Sequence, residues 1–369
     1  MAARLRDYLA DPLLGELYGQ VRRAGPLRSI SIDLADTCNL RCRGCYFFAE
    51  NMDGVPAPAD GSELDAFIAR ERSRGTNFVT VVGGEPTLHL DRLKKIYDHF
   101  WMNVATNGWI RIPTEGFENM PIGISVWGKL ETDRRLRGSG SRDVFTRALE
   151  NYRDDPRAFW YYTVTPGNTQ EIDSVVGRCI DNGNTVLFNF YGDLEGRGGE
   201  LDHRKGFDEA RREIDRMIDS YPNRILMTSY LNRIVSTGEL YEERWGYDVC
   251  TSVSADASVN RARIANGNPV NRHFRAYNAD LRTTRRCCTG IDRDCGSCFD
   301  TWEHFSWIML RMKRHLGSKH EFTNWLTTMY LFYWINRIVD FRRGAELLPE
   351  IHRRSETVDA VLYHEVPAL

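Results

Sequence analysis

Six short runs of β-branched and aromatic residues recur along the first part of the chain, and most lead into a stretch of helical periodicity. They are RSISIDL at 28–34, FVTVV at 78–82, MNVAT at 102–106, IGISVWG at 122–128, FWYYTVT at 159–165 and TVLFNFYG at 185–192. The helical stretches predicted between and after them are 62–75, starting at Ser62 and stopping at Gly75, then 90–100, about 141–153, 168–180 and about 206–220. Asn168 and Glu171 suggest a capping-box start for the fourth. Six β–α units in about 190 residues predict an α/β fold, a parallel barrel or partial barrel with function at the C-terminal ends of its strands.

The loop after the first run reads CNLRCRGCYF, placing Cys38, Cys42 and Cys45 in a C-x3-C-x2-C spacing. Three thiols do not complete a tetrahedral zinc site, which takes four protein ligands, and no further cysteine or histidine lies near in sequence. Cysteine thiolates also hold iron–sulfur clusters, and three protein ligands on a cubane leave one iron open. The second run ends in Gly83-Gly84-Glu85-Pro86, the third in Thr106-Asn107-Gly108, and Ser125 lies on the fourth.

In this order the motifs resemble those of the radical S-adenosylmethionine (SAM) superfamily, over roughly residues 28–225. The resemblance implies that Cys38, Cys42 and Cys45 ligate a [4Fe–4S] cluster whose open iron binds SAM. It implies that Gly83, Gly84, Glu85 and Pro86 hold the methionine end, with Glu85 receiving the ammonium. Thr106 and Ser125 match further cofactor contacts. The family commonly has an aromatic residue before the third cysteine; Gly44 stands there, and Tyr46 is the expected substitute against the adenine. The implied partners are a small-molecule substrate and an external one-electron reductant of flavodoxin or ferredoxin type.

Six cysteines remain. Cys179 shares an apolar helical face with Ile172, Val175, Val176 and Ile180 and reads as core. Cys250, Cys287, Cys288, Cys295 and Cys298 form a second set. It resembles the auxiliary-cluster domains (twitch or SPASM type) that follow the barrel in many radical SAM enzymes. On that resemblance Cys250, Cys288, Cys295 and Cys298 hold a second [4Fe–4S] cluster, with Cys287 as the alternative to Cys288. Structural zinc is the other reading. Five thiols for four positions leave one spare, and Cys250 or one of the Cys287/Cys288 pair is then a candidate hydrogen donor to a substrate radical. A donor thiol would favour epimerisation; a fully ligated cluster would favour dehydrogenation.

Beyond about residue 224 the alternation breaks. Residues 1–27 are read as a helical extension, 28–225 as the barrel, and 226–369 as a smaller, mostly helical, cysteine-rich domain with a hairpin around ANGNP at 265–269. The segment 300–316 is predicted as one helix with Trp302, Phe305, Met309, Met312 and Leu316 on a core-facing stripe, and WLTTMYLFYWI at 325–335 as a buried helix too short to span a membrane. RRLR at 134–137 is read as solvated surface.

A formal charge of −2 over 369 residues advertises no attraction to nucleic acid or to anionic lipid. Nine cysteines behind an N-terminus with no apolar signal core fit a reducing, cytoplasmic compartment and metal ligation over disulfides. The leading reading is a radical SAM oxidoreductase or epimerase acting on a small or medium polar metabolite, as in natural-product tailoring. A peptide- or RNA-modifying enzyme and a non-catalytic iron–sulfur or zinc scaffold are the alternatives.

Overall fold

The computed structural model describes residues 2–58, 61–138, 140–192, 207–237, 250–267, 270–290, 301–338 and 340–355. Strands β1 (Ser29–Asp33), β2 (Phe78–Val82), β3 (Trp101–Thr106), β4 (Ile122–Val126), β5 (Ala158–Val164) and β6 (Thr185–Phe190) lie side by side in chain order, every neighbouring pair parallel. Helices Gly61–Ser73, Leu90–Tyr97, Val144–Asn151 and Ile172–Asp181 fall between successive strands, and Phe207–Ser220 follows β6. Such crossovers cover a parallel sheet, which explains why its strands are almost wholly buried. Ile30, Ile32, Val79, Val81, Val104, Ile122, Ile124 and Trp160 join one continuous core.

Two strands come from the C-terminal part. The short β7 (Ala276–Tyr277) pairs parallel with β1, and β8 (Thr284–Arg285) pairs antiparallel with β7, giving the order β6-β5-β4-β3-β2-β1-β7-β8. The fold is therefore α/β, a mostly parallel sheet of partial-barrel type with helices after five of its six consecutive parallel strands, β3 running to β4 without one, and with its first strand extended by a hairpin. That hairpin spans 276–285; of the segment 265–269 where one was expected, residues 268 and 269 lie outside the described residues. At ANGNP the chain instead leaves helix Arg261–Ala265, and Gly267 takes its positive φ beyond the helix end.

Other local expectations also shift. Two helices, Leu130–Arg137 and Val144–Asn151, stand where one was expected. Asn168 and Glu171 form no capping box. The Asn168 side chain accepts from Thr165 N at 2.8 Å and donates to the Thr163 and Trp127 carbonyls, while Glu171 accepts from Lys129 N and Thr132 Oγ1 across the neighbouring loop. The helix expected at 300–316 breaks at Arg311 into Thr301–Leu310 and Met312–His315; the Trp302 side chain lies outside the described residues.

Helix Lys319–Trp334 is buried nearly all round, its largely apolar second half joined by the buried Thr323, Asn324, Thr327 and Thr328. Ser318 caps it, accepting from Glu321 N at 3.1 Å. Its C-terminal end docks on the inner face of the barrel, where Asn103 of β3 donates to Ile335 O (3.2 Å) and Asn336 Oδ1 (3.0 Å). The N-terminal helices Ala2–Leu9 and Pro12–Ala24 pack outside it, tied by Asp11 to Arg354 and Lys319. No helix among the described residues is long and apolar enough to cross a membrane.

Candidate active site

The cysteine loop leaves β1 and folds back over the strand ends. Its backbone is held on two sides: Glu85 N donates to Thr37 O at 2.9 Å, and Arg43 N to Leu136 O at 2.7 Å. Cys38 Sγ accepts from Leu40 N at 3.4 Å, and Cys45 precedes the short helix Tyr46–Ala49. All three thiols line one cavity of about 320 Å³. Burial pushes Cys38 up to about 11 and Cys45 up to about 12, and raises Cys42 as well. Such sites keep thiols neutral until a cationic group arrives. Among the described residues no three His, Cys, Asp or Glu side chains close on a single-ion position. The three thiols instead share a cavity wall, an arrangement that suits a cluster whose irons are ligated separately.

The second wall is GGEP. Gly83 and Gly84 have φ of +75° and +53°. A Cβ on Gly83 would stand 2.0 Å from Asp33 Oδ1, and one on Gly84 2.2 Å from Thr37 O, so only glycine fits against the cysteine loop. Glu85 is buried and already well bonded. Its Oε1 accepts from Thr87 N (3.0 Å), Thr87 Oγ1 (2.6 Å) and Thr106 Oγ1 (2.6 Å), and its Oε2 from Asn107 N (2.8 Å). The carboxylate therefore ties GGEP to the TNG turn, and only Oε2 retains an evident acceptor position for a ligand. Pro86 opens the 3-10 turn that follows. Asn107 closes the triangle by donating to Asn39 Oδ1 in the cysteine loop at 2.6 Å.

Helix Leu130–Arg137 brings in a residue that the sequence reading placed on the surface. Arg137 is only 1% exposed and lines the cavity. Its guanidinium pairs with the equally buried Asp133 at 3.5 Å, donates to Ser125 O at 2.8 Å and to Asn107 O at 3.4 Å, and lines the same cavity as the Cys42 thiol. Gly138, at φ +59°, ends the helix where a Cβ would meet Arg41 O at 2.2 Å. Leu136 and Arg137 are thus the buried half of RRLR, facing the cysteine loop.

Tyr191, just after β6, fills the place left by Gly44. A Cβ on Gly44 would lie 1.8 Å from the Tyr191 hydroxyl, which donates to Gly44 O at 3.3 Å. The Tyr191 ring also packs against Trp127, centroids 5.6 Å apart. Ser125 lines the same cavity, as do Thr80, Asn103, Thr163 and Asn189 from the inner faces of the strands. Phe305, expected as plain core, contributes an apolar wall. Cys179 is buried in the core.

Tyr46 borders both this cavity and a smaller one of about 120 Å³ that Cys288 also lines. Burial and the nearby Asp33 carboxylate drive its phenol upward. Arg285 of β8 grips Asp33 of β1 in a two-pronged ion pair, Nη1–Oδ2 2.5 Å and Nη2–Oδ1 3.0 Å. Its remaining N–H groups reach the carbonyls of Cys287 (3.2 Å), Cys288 (3.1 Å) and Tyr277 (3.1 Å). The second cysteine segment is thereby clamped to the barrel. Residues 252–254 and 286–288 pair through a bridge between Val253 and Cys287, with Cys250 buried just upstream. Cys287 contacts Thr289 Oγ1 at 3.3 Å. Cys295 and Cys298 lie outside the described residues.

No protein-family model matches the chain. A probable GTP 3′,8-cyclase of Thermoplasma volcanium is 26% identical over 149 residues, 37% of this chain and 43% of that protein. An uncharacterized protein of Archaeoglobus fulgidus is 25% identical over 233 residues, 60% of this chain and 56% of that protein. The match thus spans about half the length of these curated relatives. Among solved structures, native anSMEcpe with bound AdoMet and Cp18Cys peptide shares the fold, with a TM-score of 0.50 over 89% of this chain and 98% of that one at 14% identity.

Proposed function

We propose that this chain, a member of the radical SAM superfamily, is an enzyme that cleaves SAM reductively and removes a hydrogen atom from a small or medium polar metabolite. Cys38, Cys42 and Cys45 would hold a [4Fe–4S] cluster, and Gly83, Gly84, Glu85 and Pro86 the methionine end of SAM. When bound, these groups supply a 5′-deoxyadenosyl radical capable of abstracting hydrogen from a C–H bond. The chain's own contribution is positioning and exclusion of water. The glycines admit a ligand close to the backbone, and Glu85 keeps Oε2 toward a cationic amine. Tyr191, over Gly44 and beside Trp127, offers the aromatic face that residue 44 lacks, so we assign the adenine contact to Tyr191 and not to Tyr46.

The substrate reading rests on the inner wall. Thr80, Asn103, Ser125, Thr163 and Asn189 present uncharged hydroxyl and amide groups to the cavity. They suit a neutral polar molecule better than a polyanion. Dehydrogenation would follow if Cys250, Cys288 (with Cys287 as the alternative), Cys295 and Cys298 hold a second cluster, and epimerisation if Cys250 or one of the Cys287/Cys288 pair is instead a hydrogen donor; zinc is the alternative occupant. The electron would come from a flavodoxin- or ferredoxin-like donor in a reducing compartment such as the cytoplasm.

The observation that carries this reading is the meeting of three thiols with Gly83, Gly84 and Glu85 around one cavity at the C-terminal ends of consecutive parallel strands. Anaerobically reconstituted protein given SAM and dithionite is expected to release 5′-deoxyadenosine. Release that persists after Cys38, Cys42 and Cys45 are all changed to alanine would overturn it.

A further inference from the structure

We propose that Arg137 sets the reduction potential of the cluster held by Cys38, Cys42 and Cys45, its buried guanidinium keeping positive charge in the wall of the cavity that the three thiols share. The inference rests on the radical SAM reading of those cysteines. Cluster potentials respond to net local charge and to hydrogen bonds on the ligating sulfurs. Net local charge is the effect that Arg137 exerts here.

A guanidinium stays ionised at any pH of interest, and this one is only 1% exposed. Its partner Asp133 is equally buried, with both carboxylate oxygens 3.5 Å from Nη1. The pair is not centred on the loop. Arg137 lines the cavity that the three thiols share and Asp133 does not, so the positive member of the ion pair is the one that faces the thiols. The placement is rigid, because Ser125 O and Asn107 O accept from the same guanidinium and Leu136 O accepts from Arg43 N in the cysteine loop. Nε of Arg137 is buried with no partner in the protein.

The chemistry involved is a one-electron uptake from an external one-electron donor, [4Fe–4S]2+ to [4Fe–4S]+, with no bond formed or broken. Positive charge held beside a sulfur ligand favours the reduced form, whose net charge is more negative. A neutral side chain at 137 should lower the potential, and loss of the Asp133 charge should raise it.

The test is a mediator titration followed by electron paramagnetic resonance on reconstituted protein in which Cys250, Cys287, Cys288, Cys295 and Cys298 are changed to alanine, so that one cluster is read. In that background, Arg137→Gln should reduce the reduced-to-oxidised ratio at a fixed potential about tenfold, a shift of about 59 mV downward. Arg137→Lys should shift less, and Asp133→Asn should shift upward. Opposite signs from two neighbouring changes do not arise from a loosened fold, and Asp133→Asn and Arg137→Lys decide the matter if Arg137→Gln fails to load iron. An unchanged potential in iron-loaded Arg137→Gln, or a downward shift in Asp133→Asn, would overturn the proposal. So would weaker SAM binding at an unchanged potential, which would make Arg137 a ligand-binding residue. If this background loads no reducible cluster, the same titration is run on the full chain, where the signal altered by SAM identifies the first cluster. A parent protein with no reducible cluster in either form would instead defeat the radical SAM reading itself.

Discussion

Changing Asp33 to Asn should destabilise the protein by about 3–5 kcal/mol, the usual cost of breaking a buried ion pair from one side. Asp33 is 0% exposed and Arg285 8% exposed, so the orphaned guanidinium has little water to turn to. The amide keeps the shape of the carboxylate and one acceptor oxygen, so the loss is of charge and not of packing. The double change Asp33→Leu with Arg285→Met should behave differently. It removes both charges, which is often neutral or better, but it strips donors from the carbonyls of Tyr277, Cys287 and Cys288. At about 1 kcal/mol for each lost bond, the double variant should cost no more than roughly 3 kcal/mol, less than the two single changes added together. Urea unfolding at neutral pH gives the numbers, provided the m-value stays constant. The second cysteine segment should also lose iron or zinc more readily in both variants. A single-variant cost below about 1 kcal/mol, or strict additivity in the double, would refute the claim that this ion pair is the clamp between barrel and C-terminal segment.

Three other outcomes follow from the same geometry. Burial draws His315 and His352 down to about 4 from an ordinary 6.5, so the unfolded chain takes up protons first as pH falls. Stability due to these histidines is therefore complete above about pH 6.5 and is lost toward pH 4, by roughly 3 kcal/mol each; the double His→Gln variant should show a shallower decline of the urea midpoint, and an identical decline would contradict this. Gly44→Ala should cost about 1–2 kcal/mol through its left-handed φ alone, and adding Tyr191→Leu should relieve the clash but not the strain; unfolding curves for the pair check this, and a neutral Gly44→Ala would refute it. Glu85→Gln should cost about 1–3 kcal/mol, because Asn107 N loses its acceptor in a buried site. It should also weaken SAM binding in a titration while iron loading holds, and unchanged stability would show that the network is not formed.

Most of the barrel was legible because its signals are local. Each of the six expected runs overlaps an observed strand, starting within one residue of it, and the motifs sit at strand ends because turn and ligand chemistry is written in consecutive residues. What escaped the reading depends on distance along the chain. Tyr191 meets Gly44 across 147 positions and Arg285 meets Asp33 across 252, and neither partner has a local signature. Arg137 was misread because an arginine-rich helix looks solvated until its i, i+4 partner is seen to be Asp133 on a buried face. ANGNP misled because glycine and asparagine serve a helix end as well as a hairpin, while the true hairpin has strands of only two residues. The Glu85 network was missed for another reason: the sequence shows a carboxylate but not that four donors already surround it.

The measurement closest to the central claim is the electron paramagnetic resonance spectrum of the reduced, reconstituted protein before and after SAM is added. The account predicts a reduced-cluster signal whose shape changes with SAM, and the loss of that SAM-responsive signal when Cys38, Cys42 and Cys45 are all alanine. A signal in the wild-type protein that SAM leaves unaltered, or a SAM-responsive signal that survives in the triple variant, would contradict it.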